Sequence, residues 1–107
     1  YYHSRLMEEI TQQLWEAAEK KRKCRIRMSR EPIERLVHPY GICQTAGNKI
    51  MLVCWQELGF TKAGRTAGYR NLKLSDIETI EITELHFVKR DDFNPADGQY
   101  KDWVFHV

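Results

Sequence analysis
The sequence predicts a mainly β fold, with one N-terminal helix followed by a small barrel of five or six short strands. Three observations predict it. Apolar residues recur at helical spacing only near the N-terminus. After Lys23 the hydrophobic period drops from 3.6 to 2. Short apolar runs then follow closely, separated by turns rich in Pro, Gly and Asn. Closing such strands into a barrel removes the unpaired edges that a small sheet otherwise presents.

The helix is expected over residues 4–22. Ser4 is placed to cap it, and Leu6, Ile10, Leu14, Ala17 and Ala18 form its stripe, widened by Met7 and Trp15. Glu8 and Glu9 are assigned to the first turn, and Lys20 to Lys23 to the end, where they oppose the helix dipole. The stripe needs a covering surface, either the remaining chain or another subunit. Cys24, Ile26 and Met28 then alternate with Arg25 and Arg27, as in a half-buried strand. Ser29 to Pro32 reads as a turn. Ile33 to Val37 reads as a second strand stopped at His38-Pro39, since proline cannot continue a ladder.

Gly41 to Cys43 is a short extended piece, and Thr45 to Asn48 a turn. Lys49 to Gln56 is the most apolar strand, followed by a glycine-bearing loop from Glu57 to Gly68. Tyr69 to Leu74 is a strand with Leu72 and Leu74 on one face, and Ser75-Asp76-Ile77 a short turn. Ile80, Ile82 and Leu85 mark the next strand. Residues 91–98 form a loop. Trp103, Phe105 and Val107 alternate as an additional strand over residues 101–107.

Composition excludes several classes. The chain has 107 residues, which fits one domain. No apolar run approaches the roughly 20 residues that span a bilayer, and no signal peptide is expected. Three cysteines without paired spacing argue against a disulfide framework and for a reducing, cytoplasmic setting. Cys24, Cys43 and Cys54 read as small core residues. No CxxC occurs and the four histidines are scattered, so neither a metal nor a cofactor is expected. Phosphate-loop, GxSxG and HExxH patterns are absent, so no catalytic residue is assigned.

Net charge is only +2, yet it is unevenly spread. Lys20 to Arg30 holds seven basic residues and no acid. Lys62, Arg65, Arg70 and Lys73 follow, again with no acid between Gly59 and Leu74. From Asp76 onward acids dominate. Such segregation suits an anionic partner; ordinary solvated charge is the alternative.

The order of motifs from about Lys23 to Pro95 resembles the WYL family. Arg35-Leu36-Val37-His38-Pro39 supplies the arginine four residues before a proline. Ile50-Met51-Leu52-Val53 stands where the family has its Trp-Tyr-Leu strand, with only the Leu retained. Arg70-Asn71-Leu72-Lys73-Leu74 is similar to the family's arginine-bearing strand, and Ser75 to Ile80 to the step after it. Phe87 and Asp92-Phe93-Asn94-Pro95 resemble its tail.

The resemblance implies an Sm-like (SH3-type) barrel used as a sensor in bacterial transcriptional regulators. It implies an anionic ligand, such as a nucleotide or single-stranded nucleic acid, bound by basic residues. With only one helix expected, no helix-turn-helix lies in these residues, so a DNA-binding domain is either separate or missing.

A phosphate-bearing ligand needs fixed positive charge and forked donors. Arg70 is the favoured contact, with Arg35 beside it on the family pattern. Lys73 and Arg65 are second choices, because Lys73, three residues from Arg70, points to the other face of a regular strand. His38 and Tyr40 flank Pro39 and offer a hydrogen bond or a stacking surface. Alternatively, His38 finishes a strand and Tyr40 packs at the barrel rim. Trp15, Trp55 and Trp103 read as packing residues. Two further readings stay open: an Sm-like RNA-binding ring, and an interaction module or homodimer formed through Leu6, Ile10 and Leu14.

Overall fold
A computed structural model describes residues 2–45, 49–59 and 67–107, with side chains from residue 8 onward. Helix α1 (Tyr2–Glu19) precedes strands β1 (Arg22–Met28), β2 (Arg35–Thr45), β3 (Ile50–Leu58) and β4 (Gly68–Lys73). A 3-10 turn, Leu74–Asp76, leads to β5 (Ile77–His86), and β6 (Tyr100–His106) ends the order. The mainly β class with an N-terminal helix is therefore as the sequence predicts, including the additional last strand.

The strands form one six-stranded antiparallel sheet in the order β4-β3-β2-β1-β5. Strand β2 is long enough to serve two partners along one edge. Its first residues pair with β1, and Gly41 to Thr45 pair with β6. The sheet is not closed by hydrogen bonds among the described residues, because β4 and β5 each pair on one side only.

Helix α1 starts at Tyr2, before Ser4, so Ser4 is interior rather than a cap and the first turn holds no acid. It stops at Glu19, short of the expected Arg22. Lys21 takes a left-handed conformation, φ 52°, which breaks the helical path and turns the chain into β1. Arg22 and Lys23 therefore belong to the strand and not to the helix end.

The larger correction concerns Pro39. Strand β2 does not stop there but runs through it. The register steps from Pro39↔Cys54 to Gly41↔Val53, leaving Tyr40 as the extra residue of a bulge. A bulge is where a sheet tolerates a proline. It also swaps faces: Val37 and Ile42, five apart, both join the core under the helix. Gly41 is needed there, since a Cβ would fall on the Phe105 carbonyl and the Trp103 ring of β6. Two smaller expectations shift as well. The second strand begins at Arg35 rather than Ile33, and β3 extends to Leu58 beyond the expected loop start.

Two cores result. On one face, Ile10, Leu14, Ala17 and Ala18 of the helix cover Cys24, Ile26, Val37, Ile42, Leu52 and Leu72. From Ile10 onward the helix stripe is thus largely spent on this chain's own sheet, while the side chains of Leu6 and Met7 lie outside the described residues. Full burial of side chains such as Leu14 and Ile26 contributes about 2 kcal/mol each. On the other face, Tyr40, Cys43 and Val53 pack against Phe87 and Phe93, which follow β5. Leu85, expected to mark β5, is exposed.

Candidate functional site
The alternation along each strand sorts side chains onto the two faces. Cys24 and Ile26 point under the helix, so Lys23, Arg25 and Arg27 take the opposite face. The same logic places His38 opposite Val37, Trp55 opposite Cys54, and Tyr69 opposite Leu72. Register then aligns three of them: His38 pairs with Trp55, and Trp55 with Tyr69. This face carries a row of imidazole, indole and phenol beside a basic strand.

Charged groups tie the row together. Glu57 Oε1 accepts hydrogen bonds from Lys23 Nζ at 2.8 Å and pairs with His38 Nε2 at 2.9 Å. The Lys23 and His38 contacts hold the Glu57 carboxyl below its usual range. Burial lowers the His38 pKa, against the opposing pull of Glu57. His38 also stacks on Phe87 at 4.9 Å.

The chain after β5 crosses this face. The Arg90 guanidinium lies over the Trp55 ring, and the Arg90 amide donates to the Tyr40 hydroxyl at 2.8 Å. Asp92 accepts from Tyr69 at 2.6 Å and from Arg90 Nε at 3.1 Å. These two donors lower the Asp92 pKa. Burial, and then the Asp92 carboxylate, raise that of Tyr69.

Arg25 and Arg27 are exposed and make no ion pair among the described residues. Their strand is flanked by β5, with Arg25 opposite Glu81 and Arg27 opposite Thr79. The basic and acidic runs of the sequence therefore lie side by side, and the face is mixed rather than uniformly basic.

The residues singled out from sequence divide between the faces. Arg35 and Arg70 lie on the helix side, where both guanidinium groups act on the Cys54 thiol. Arg35 is 9% exposed, bound twice by Glu31 (2.9 and 2.7 Å) and once by Gln56 (2.8 Å). Arg70 is half-buried and donates to the Tyr69 carbonyl at 2.9 Å. His38 and Tyr40 lie on the aromatic face; Tyr40 is fully buried, and that burial raises its pKa. Lys73 is exposed on the same side as Tyr69. Arg65 lies outside the described residues.

Sequence reasoning missed Lys23, Glu57, Tyr69, Arg90 and Asp92, and took Trp55 for packing alone. The alternation on β1 and β3 was a usable signal for Lys23 and Trp55. Nothing local marks Arg90 and Asp92, whose partners are 35 and 23 residues away in sequence.

Burial pushes the Cys24 and Cys54 thiols up to about 12, and raises that of Cys43. Such thiols are poor nucleophiles at neutral pH. Among the described residues no group of His, Cys, Asp and Glu is placed to hold a metal ion. No described helix is long and apolar enough to cross a membrane.

A family model described as "WYL domain" matches residues 9–82. No curated protein and no solved structure matches. The matched span starts inside α1, earlier than the motifs at Lys23, and ends in β5. Phe87 and the Asp92 to Pro95 stretch, which resemble the family's tail, fall outside it. WYL domains are regulatory, ligand-sensing domains of bacterial regulators and are not known as catalysts. With more than two thirds of its length matched, from the helix through β5, the chain belongs to the WYL domain family.

Proposed function
We propose that this domain senses an anionic ligand, such as a single-stranded oligonucleotide or a nucleotide, within a cytoplasmic bacterial transcriptional regulator. One observation carries the reading. The cross-strand row His38–Trp55–Tyr69 shares a sheet face with the exposed Arg25 and Arg27, which make no ion pair among the described residues. Proteins that hold single strands combine aromatic surfaces for bases with basic side chains for the backbone; here the row is half-buried beneath Phe87, Arg90 and Asp92, so a base reaches the Trp55 ring only by displacing the Arg90 guanidinium. Lys73 extends the positive charge along the same face. Arg70 borders it through the Tyr69 carbonyl, and Arg35 acts from the opposite side as a positioning group rather than a contact. Three free cysteines suit the reducing compartment that the reading requires.

The test is a titration with short single-stranded DNA and RNA at low and moderate salt. Wild type is compared with the Arg25→Ala/Arg27→Ala double variant and with Arg70→Ala. Binding should weaken steeply with salt, because phosphate contacts release counterions. Loss in the double variant supports the aromatic face. Loss only in Arg70→Ala moves the site to the helix side, and no binding to either nucleic acid rejects the reading.

A second reading, an Sm-like RNA-binding ring, has one observation in its favour. The outer strands carry opposite charge, with Arg70 and Lys73 on β4 and Glu78, Glu81 and Glu84 on β5. Edge pairing between copies would join them. A monomer in sedimentation equilibrium excludes it.

A further inference from the structure
The helix side of the molecule carries a second feature, independent of the aromatic face. An apolar groove of about 550 Å³ runs between α1 and the sheet. Trp15 forms one wall, Ile50 and Val104 the other, and Ile42 and Leu74 the floor. Trp15, Ile50 and Val104 remain 42%, 38% and 48% exposed, so three of the large exposed apolar side chains meet in one place. Single exposed apolar residues are ordinary, but a concave cluster is not. Its volume lies within the range of small-molecule sites, roughly 300–1,000 Å³.

Among the described residues that line it, the one charged side chain is the carboxylate of Glu8. Glu8, Gln12 and Trp15 recur at helical spacing and line the groove. Glu16 and Glu19 line an adjoining hollow that shares Gln12 and Trp15. Lys20 engages Glu16 at 2.8 Å, while Glu8 has no ion pair among the described residues. Trp15 is also held in place. It stacks on Phe105 with centroids 5.0 Å apart and planes 13° off parallel, and the rest of its indole borders the groove. An aromatic ring face and a nearby carboxylate both attract a cation that has shed part of its water.

We propose that this groove is a binding site for a small lipophilic organic cation. The apolar body lies on Ile42, Ile50, Leu74 and Val104, and the positive centre sits between Glu8 and the Trp15 ring. The site lies across the sheet from the proposed anionic face and does not rest on that reading.

Isothermal titration calorimetry with tetraphenylphosphonium and tetraphenylborate tests it, because the two ions share a shape and differ in charge. The phosphonium should bind saturably with one site, and the borate roughly tenfold or more weakly, as a carboxylate a few ångströms away implies. Glu8→Gln, at an exposed helix position that leaves the fold intact, should weaken the phosphonium by about fivefold and narrow the gap between the ions. Ile50→Lys should abolish binding, with far-UV circular dichroism checking the fold. Arg25→Ala/Arg27→Ala should leave it unchanged. Equal affinity for both ions, no saturable phosphonium binding, or indifference to Glu8→Gln and Ile50→Lys overturns the proposal. So does self-association in sedimentation velocity that Ile50→Lys abolishes, since a second copy would then cover the groove.

Discussion
The Cζ of Arg90 sits 3.8 Å from the centroid of the Trp55 indole, joining a residue beyond the matched family span to the middle of β3. That contact, with the Asp92 bridge to Tyr69, lays the chain after β5 across the aromatic row. A guanidinium over an indole is a favourable pairing of charge with ring quadrupole. It also means that Trp55 presents a covered ring to solvent.

Arg90→Ala should uncover that ring. In a nitrogen-15 correlation spectrum, the indole resonance of Trp55 should move while that of Trp15, on the other face, stays in place. An unmoved Trp55 resonance would show that the contact does not form in solution.

His38 gives the fold a pH dependence of known sign. Burial holds its folded pKa below the ordinary histidine value of 6.5. The unfolded chain therefore binds the proton more readily, and stability rises with pH across the interval between the two values. It is fully present above 6.5 and falls as pH drops toward the folded pKa. Urea midpoints measured from about pH 5 to 7.5 should show this slope, and His38→Gln should flatten it. A slope that survives the substitution would assign the effect to another group. Glu57 titrates lower, since its pKa is held below 4.5.

Arg35 should behave as a structural residue. Arg35→Met removes the bidentate partner of Glu31 and a donor to the fully buried Gln56. Losing these charge-assisted hydrogen bonds costs about 2 kcal/mol. Urea denaturation should show that loss, while oligonucleotide affinity stays near wild type under folding conditions. Unchanged stability with lost affinity would instead make Arg35 a ligand contact.

How much of this was legible beforehand varies by element. Strand β1 could be read residue by residue, because Cys24, Ile26 and Met28 are buried at every second position. The helix body was equally clear from Ile10 to Ala18. Pro39 misled, because a local rule about proline says nothing of the bulge at Tyr40 that absorbs it. The site was less legible still. Arg35 and Arg70 share a face, but Arg35 is committed to Glu31 and Gln56, partners that no spacing in the sequence announces.

The sequence by itself determined the class of fold, the faces of its regular strands and the family, because alternation and motif order are local properties of the chain. Tertiary structure alone decided which charges are free and which aromatic rings are covered. Glu57 meets Lys23 and His38, and Arg90 meets Trp55, only through strand register and the path of residues 87–99. Register depends on the whole sheet, so a side chain's neighbours across strands are not written in the residues beside it.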